Sequence, residues 1–348
     1  MRAYPTEERS TVTQKQFCGS SETTQGALAA PDNRCVVGVD IGGTNLRLAL
    51  ADSAGVVLAK WSAKTVGIQD ANVIVALIKD GVDQLLKQAS IPRSSLLAVG
   101  AGVAGVTDVD AGVVLATSYL LGWRNIPLRD LLESALGIPA AVDNDVNLGA
   151  LGESWAGAAK GARDFVFLGI GTGVGAGIML NGRIFHGMSW AAGEIGYMLV
   201  PGVRDDRIEP GKPGPLERLI GGEGIKTEWH NLWRKELTLL PQDLTATQIF
   251  DYAVEGEQLA QVLLLQCART LANVIYNVSL MLNCPLFVLG GTGGMQPALC
   301  DSTRSILMGR DMRVQPQLSC SLLGVDAQLA GAICLALDTA AVQSRLTS

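Results

Sequence analysis

Residues 38–47, Gly-Val-Asp-Ile-Gly-Gly-Thr-Asn-Leu-Arg, are the stretch that decides the fold. An apolar run at 35–37 precedes them, so we predict a buried strand that presents the carboxylate of Asp40 and then turns at two glycines. Successive N–H groups in such a turn can hold an anion, and the Thr-Asn pair at 44–45 adds polar side chains. A carboxylate beside a phosphate cradle suits a magnesium-bound nucleotide, whereas the alternative is a plain tight hairpin turn.

The composition of the 348-residue chain favours a two-lobed α/β protein. Hydrophobic residues make up 48% of the chain and glycines number 41, which suits a fold with many close turns. The net charge is −6 and no long basic run occurs, so the sequence lacks the electrostatic footprint of a protein that binds nucleic acid.

The N-terminal segment and the cysteines predict a cytoplasmic protein with no membrane partner. Residues 1–33 are polar, aperiodic and without a hydrophobic signal core, so we expect a mobile tail. The chain is expected to lack any apolar run of the roughly 20 residues that a membrane span needs. The seven cysteines include no Cys-x-x-Cys pair, and a reduced cytoplasm is the simplest setting for them.

A repeated pattern predicts two related lobes. Strand, glycine turn with Thr, strand, turn and strand occur at 35–61 and again at 165–185, about 130 residues further on. The predicted units are a tail at 1–33, an N-terminal small lobe at 34–146, a C-terminal large lobe at 147–325 and a last helix at 326–341 that packs back on the small lobe.

Three glycine-rich turns that contain Thr stand at 42–45, 171–177 and 290–294. Each alone is a weak signal, but the first two open the two lobes, and facing hairpins can grip one polyphosphate from two sides. The third follows the predicted buried strand 286–289 and suits a base or a ribose. A cleft that closes over such a ligand would shield the phosphates from water.

Three polar residues, Asp143, Asn144 and Asp145, follow a short predicted strand. A carboxylate at a strand end in a cleft can accept the proton of an alcohol during phosphoryl transfer. Asn144 can hold a neighbouring hydroxyl through both its donor and its acceptor. The alternative is a helix N-cap, where Asp and Asn are favoured, and the two roles are compatible.

Two further carboxylates, Glu194 and Glu217, stand near turn glycines. A pair of carboxylates suits a polyhydroxylated ligand, which offers hydrogen-bond donors in pairs. The alternative is that both are ordinary surface acids.

Taken together, these motifs resemble the ROK sugar kinases, a family of the actin-like ATPase superfamily that contains bacterial glucokinases, fructokinases and N-acylhexosamine kinases. The resemblance covers about residues 35–338. The motifs that carry it are Asp40-Ile-Gly-Gly-Thr-Asn45, Gly122-Trp123, Asp143-Asn-Asp-Val-Asn147, Gly152-Glu153, Gly171-Thr-Gly-Val-Gly-Ala-Gly177, Gly193-Glu-Ile-Gly196 and Gly290-Gly291.

The resemblance implies a two-lobed actin-like ATPase (ribonuclease H-like) α/β fold, with duplicated lobes, mixed sheets and a cleft between them. It implies ATP- and Mg²⁺-dependent phosphorylation of a hexose, first of all glucose to glucose 6-phosphate, with Asp145 as the general base. The residues assigned to the sugar are Gly105, Asn144, Glu194, Tyr197 and Glu217. The residues assigned to ATP are Asp40, Gly42, Gly43, Thr44, Asn45, Thr172, Gly173, Gly290 and Gly291. Asp40 would lie near the Mg²⁺, directly or through water, and a homodimer is compatible with the family.

The departures from the family pattern lie on the sugar side. Many members hold a structural Zn²⁺ with one His and three Cys, whereas this chain has Tyr197 at the His position and Ile208, Pro210 and Pro215 at the Cys positions. Because a zinc site needs about four such ligands, we predict no zinc. Tyr197 can bind a sugar hydroxyl, change the choice of substrate or merely pack, and Tyr119, where relatives often have Asn, raises the same question.

Other functions stay open on the sequence. The protein can be a kinase of another hexose or of an N-acylhexosamine, or a sugar-binding sensor without catalysis. A sugar-responsive repressor would need an N-terminal DNA-binding domain, and the residues before the first strand are expected to be too few and are not basic.

Overall fold

The structure is a computed structural model that describes residues 34–117, 120, 122–203, 208–209, 212–310 and 315–347. The expected tail at 1–33, Tyr119 and Pro210 lie outside the described residues.

The strands of the described residues are β1 (Cys35–Ile41), β2 (Asn45–Asp52), β3 (Val57–Lys64), β4 (Leu96–Val103), β5 (Val106–Asp108), β6 (Val113–Ala116), β7 (Arg124–Ile126), β8 (Ala140–Asn144), β9 (Phe165–Ile170), β10 (Val174–Leu180), β11 (Arg183–Ile184), β12 (Leu286–Gly290) and β13 (Gln317–Cys320). The α-helices are α1 (Ala71–Ala89), α2 (Leu128–Leu136), α3 (Asp145–Ala156), α4 (Glu217–Ile220), α5 (Gly222–Leu232), α6 (Ala246–Val254), α7 (Gln258–Leu282), α8 (Gly291–Gly294), α9 (Pro297–Met308) and α10 (Ala327–Thr347). Short 3-10 helices lie at Arg93–Ser95, Ile195–Tyr197 and Gly324–Asp326.

Two five-stranded sheets share one topology. Their strand orders are β3-β2-β1-β4-β8 and β11-β10-β9-β12-β13. In each sheet the first three strands are antiparallel, and the last two run parallel to the third. The predicted α/β class with duplicated, mixed sheets is therefore confirmed. A third sheet, β5-β6-β7, was not predicted, because its strands have only three or four residues and show no clear period.

The central strand β1 is buried on both faces, which explains its continuous apolar run. One face, which includes Val37 and Val39, packs in a core cluster with α1 and α2. The other face packs against α10, where Val36 meets Leu329 and Ile333. The glycines of this face let α10 approach closely, since a Cβ on Gly38 would lie 2.8 Å from Cγ1 of Ile333.

The sequence predicts one long helical stretch at about 253–282, whereas two helices cover this range in the structure. The helix α6 ends at Val254, and Gly256 takes a φ of +99° that breaks the helical path. Glu257 then caps α7 by accepting a hydrogen bond from the N–H of Ala260 at 2.6 Å.

Two segments, α7 and Gly324–Arg345, are long and apolar enough to span a membrane by length and composition alone. The expectation that no segment reaches this length is therefore wrong. Half of the apolar window of α7 is buried inside the fold, where Leu263, Leu271 and Ile275 join the core of the second sheet. A core helix of a globular domain passes the same test, so the two segments say little about a membrane.

Candidate functional site

Asp40 is the last residue but one of β1 and is only 7% exposed. Arg47 lies directly opposite on β2 and donates to Oδ2 of Asp40 from Nε at 2.8 Å and from Nη2 at 2.6 Å. Burial raises the pKa of Asp40, although the charge and the hydrogen bonds of Arg47 lower it. No described residue donates to Oδ1, which leaves this oxygen available to a cation.

The turn after Asp40 is a tight hairpin turn, which was the alternative interpretation of this stretch of sequence. The N–H of Gly42 donates to the carbonyl of Asn45 at 2.9 Å, and Oγ1 of Thr65 donates to the carbonyl of Gly42 at 2.7 Å. The N–H of Gly43 and the hydroxyl of Thr44 have no partner among the described residues. The turn therefore keeps donors for an anion, and the hairpin and the phosphate cradle are compatible.

Asn144 is the N-cap of α3, which was the alternative interpretation of residues 143–145. Its Oδ1 accepts hydrogen bonds from the N–H groups of Val146 at 2.8 Å and Asn147 at 3.1 Å. Its Nδ2 donates to the carbonyl of Gly105 at 2.9 Å. The cap occupies both acceptor positions of the amide oxygen, so Asn144 keeps one N–H for a ligand rather than the donor and acceptor that the sequence suggested.

Asp143 is buried behind this cap and joins it to a distant segment. Its Oδ1 accepts from Nδ2 of Asn147 at 3.0 Å, and its Oδ2 lies 2.8 Å from Nε2 of His186. The hydrogen bond with Asp143 raises the pKa of His186, burial lowers it, and the charge of Asp110 raises it further. Since the carbonyl of His186 accepts from the N–H of Ala192, this pair ties the loop before Glu194 to the start of α3.

Asp145 is the first residue of α3, and the pKa of its carboxylate is strongly raised. Burial, followed by the negative charge of Asp40, raises the pKa of Asp145 to about 7. The hydrogen bond from the N–H of Val146, at 3.0 Å, lowers this pKa, and the charge of Glu194 adds a smaller rise. A carboxylate that titrates near neutral pH and is surrounded by negative charge is suited to accept a proton.

Glu194 is held by a backbone that only glycine can form. Gly193 has a φ of +92°, and a Cβ there would lie 1.9 Å from the carbonyl oxygen of Ala176. Burial raises the pKa of Glu194, and the charge of Glu217 raises it further. Oε2 of Glu217 accepts from the N–H of Val174 at 2.9 Å, so this carboxylate is anchored to the start of β10.

Tyr197 ends the 3-10 helix that follows Glu194. Its hydroxyl donates to the carbonyl of Lys212 at 3.4 Å, in the segment that carries the altered zinc-ligand positions. In the described residues, no group of three or more His, Cys, Asp or Glu side chains could hold a metal ion.

The other two glycine turns lie side by side on the second sheet, because β9 and β12 are parallel neighbours. The turn at 171–173 closes through a 2.9 Å hydrogen bond from the N–H of Gly171 to the carbonyl of Gly173, and the side chain of Thr172 is exposed. Gly290 ends β12, and the expected turn after it is instead the short helix α8. Gly291 begins this helix at a φ of +76°, where a Cβ would lie 2.5 Å from the carbonyl oxygen of Ile170.

A small recess, with a cavity volume of about 20 Å³, brings two predicted sugar-binding residues together. The residues that line it are Asn144, Val146, Asn147, Gly175, Ala176, Trp190, Ala192, Gly193 and Glu194. Tyr197, Glu217 and Gly105 are not among the lining residues.

Sequence reasoning missed Arg47, His186 and Trp190. The position of Arg47 was predictable, because the four-residue turn at 42–45 places it across the hairpin from Asp40. The pairing of His186 had no local signal, since its partner lies 43 residues away.

The residues present fit a magnesium-bound nucleotide. Oxygen donors are what Mg²⁺ prefers, and the open Oδ1 of Asp40 is one. The charges of Asp40 and Glu194 already raise the pKa of Asp145, so a cation would be stabilised among them.

Known proteins resemble this chain over most of its length. The model of the ROK family matches residues 36–339. The glucokinase of Halalkalibacterium halodurans is 35% identical over 266 residues, which are 74% of this chain and 80% of that protein. The xylose repressor of Caldicellulosiruptor bescii is 26% identical over 271 residues, which are 73% of this chain and 65% of the repressor. A ROK family glucokinase from Streptomyces griseus, solved with glucose and AMPPNP, superposes with a TM-score of 0.74 at 27% identity, over 87% of this chain and 99% of that one.

A match over nearly all of the described residues, on a fold that carries the same topology twice, settles the family. The chain belongs to the ROK family, and its fold is that of the actin-like ATPases.

Proposed function

We propose that this protein is an ATP-dependent kinase that phosphorylates a hydroxyl of a hexose, with glucose as the first candidate and Asp145 as the general base. The observation that carries the proposal is the carboxylate of Asp145, whose pKa is raised to about 7. It lies at the start of α3, beside a recess whose lining includes the polar side chains of Asn144 and Glu194. The similarity to two glucokinases supports the choice of glucose.

Asp145 would accept the proton of the attacking hydroxyl as its oxygen bonds to the γ-phosphorus and the bond to the leaving ADP oxygen breaks. A base of this kind must be ionised before the reaction, and a pKa near 7 keeps a large fraction ionised at neutral pH while leaving the carboxylate basic enough to take a proton. Its position is set by the first turn of α3, whose N-cap Asn144 fixes the start of the helix.

The sugar would be held by one N–H of Asn144 and by the carboxylates of Glu194 and Glu217, each of which accepts from hydroxyls. Gly105 contributes by fixing the amide of Asn144 through its carbonyl. Tyr197 would contribute its phenol from the edge of the site, since its hydroxyl also reaches the carbonyl of Lys212.

The phosphates would be held by the turns at 42–45 and 171–173, and the nucleoside by Gly290 and Gly291. Thr44 and Thr172 offer exposed hydroxyls, whereas the side-chain oxygen of Asn45 already accepts from Nζ of Lys64 at 2.8 Å. Mg²⁺ bound with ATP supplies charge neutralisation at the phosphate oxygens. Asp40 is the residue that would hold this ion, directly or through water.

Further parts of the proposal rest on the sequence. We propose that the enzyme is cytoplasmic, because its cysteines suit a reduced compartment. We also propose that it has no zinc site, because Ile208 and Pro215 stand where the family has cysteines. A homodimer remains compatible with the family.

The test is turnover of Mg-ATP with a panel of glucose, mannose, fructose, N-acetylglucosamine and N-acetylmannosamine, read as release of ADP. Wild-type protein should phosphorylate at least one of these sugars, and Asp145→Asn should lose a factor of about 10²–10⁴ in kcat. Sugar binding, measured by calorimetry, should persist in Asp145→Asn. An absence of turnover with every sugar would contradict the proposal.

A sugar sensor without catalysis is the second candidate. The similarity to the xylose repressor and the replacement of the family His by Tyr197 favour it. Sugar affinity without ADP release, together with restoration of turnover in Tyr197→His, would support this candidate over the kinase.

A further inference from the structure

Trp190 has a backbone conformation that bulky residues rarely adopt. Its φ is +54°, in the left-handed region. The other non-glycine residues with positive φ in the described part of the chain are one serine and three asparagines. Asparagine tolerates this region, whereas a bulky side chain there is a true outlier. Outliers of this kind cluster at ligand sites, so the position of Trp190 needs a functional reason.

The side chain of Trp190 is half-buried and lines the same recess as Asn144 and Glu194. The cavity volume of this recess is about 20 Å³, which is room for little more than one water molecule and far below the roughly 300–1,000 Å³ of typical small-molecule sites. Among the described residues that line it, Trp190 is the one aromatic.

Several of the other residues that line the recess have side chains too small for a substitution to widen it. Gly175, Ala176, Ala192 and Gly193 are already small, and Gly193 leaves no room for a Cβ. The indole of Trp190 is therefore the largest group whose removal would widen the space beside Asn144 and Glu194.

We propose that Trp190 determines the substrate class. Its indole restricts the recess to a substituent of hydroxyl size, so the protein accepts unsubstituted hexoses and discriminates against hexoses with an acylamino group at that position. This inference rests on the proposed function, because it takes the recess to be part of the sugar site.

The experiment compares two sugar pairs that differ by an acetamido group in place of a hydroxyl: glucose with N-acetylglucosamine, and mannose with N-acetylmannosamine. The variants are Trp190→Gly, which takes the left-handed conformation without strain, and Trp190→Ala, which widens the recess but keeps a Cβ. Both should raise the ratio of kcat/KM for the acetamido sugar to that for the hexose by about tenfold or more in at least one pair. Calorimetric affinities should shift in the same direction.

The matched control is Asn181→Gly, since Asn181 has a φ of +55° in the loop between β10 and β11 and does not line the recess. It should keep the wild-type ratio. Unchanged ratios and affinities in both folded Trp190 variants would overturn the inference while the proposed function stood. Wild-type protein that binds glucose more tightly than N-acetylglucosamine yet consumes no ATP would refute the proposed kinase activity. In that case, a smaller difference between the two sugar affinities in the Trp190 variants would still support the role of Trp190. Wild-type protein that binds none of the sugars would overturn both.

Discussion

Replacement of Asp145 by asparagine should remove catalysis and stabilise the fold in the same step. A carboxyl group whose pKa is raised on folding destabilises the folded state once the pH exceeds its ordinary pKa, because the unfolded chain then releases a proton that the folded chain retains. For Asp145 the pKa rises from 3.8 to about 7. At about 1.36 kcal/mol per unit, the full cost is about 4 kcal/mol at most, reached above pH 7 and absent below pH ~4.

Asparagine removes this cost and keeps an oxygen that can accept the hydrogen bond from Val146. The free energy of unfolding, measured in urea between pH 4.5 and pH 8.5, should therefore show a gain for Asp145→Asn that is about 1 kcal/mol at the acid end and grows to about 4 kcal/mol at the alkaline end. The matched control is Asp130→Asn, an exposed acid in the first turn of α2, which tests the same charge change at a helix start without burial. It should show no such growth with pH.

Two results would refute this reasoning. One is a gain that is the same at pH 5 and pH 8, since the cost would then not come from a shifted carboxyl. The other is a loss of stability at pH 8, which would show that the carboxylate is stabilised by its surroundings.

Three more predictions follow from the same contacts. The kcat/KM of the wild type should rise with pH through about 7, as Asp145 loses its proton, and a flat profile from pH 5.5 to 8 would argue against this base. His186→Gln should lower the free energy of unfolding by about 1–3 kcal/mol, because it removes the hydrogen bond between His186 and Asp143. The loss should be larger at pH 6 than at pH 9, because the pKa of His186 is raised and the imidazole is therefore charged, and paired with Asp143, at the lower pH. Equal losses at both pH values in urea unfolding would contradict this. Gly193→Ala should destabilise the protein and lower kcat together, whereas Gly202→Ala, at a φ of +97° with no atom within 4 Å of its Cβ, should cost only backbone strain of about 1–3 kcal/mol and leave kcat unchanged.

Much of the fold could be predicted because its signals are local and occur twice. Each sheet begins with three strands joined by tight turns, so the pattern of apolar runs and glycines fixes most of the antiparallel part. The sheet β5-β6-β7 and the strand β13 were missed because three or four residues carry too little pattern. The break between α6 and α7 was missed because one glycine between two apolar helices is a weak signal.

The candidate site was less predictable, because its chemistry depends on which atoms are already engaged. The sequence identified Asn144 but could not show that its oxygen is used by the cap of α3. It identified Asp40 but did not anticipate that Arg47 occupies one of its two oxygens. The roles of His186 and Trp190 depend on contacts between segments that are distant in sequence, and neither has a motif of its own.

The charges of the site restrict the form in which a nucleotide can enter it. The glycine turns offer N–H and hydroxyl donors that suit phosphate oxygens. The nearby carboxylates of Asp40, Asp145 and Glu194 repel the same oxygens, and Arg47 is committed to Asp40 by two hydrogen bonds. We therefore expect nucleotide affinity to depend strongly on a divalent cation that compensates this negative charge, whereas a neutral hexose should bind without one. Calorimetry with AMPPNP and with glucose, each in Mg²⁺ and in EDTA, would contradict this if EDTA weakened both ligands equally or neither.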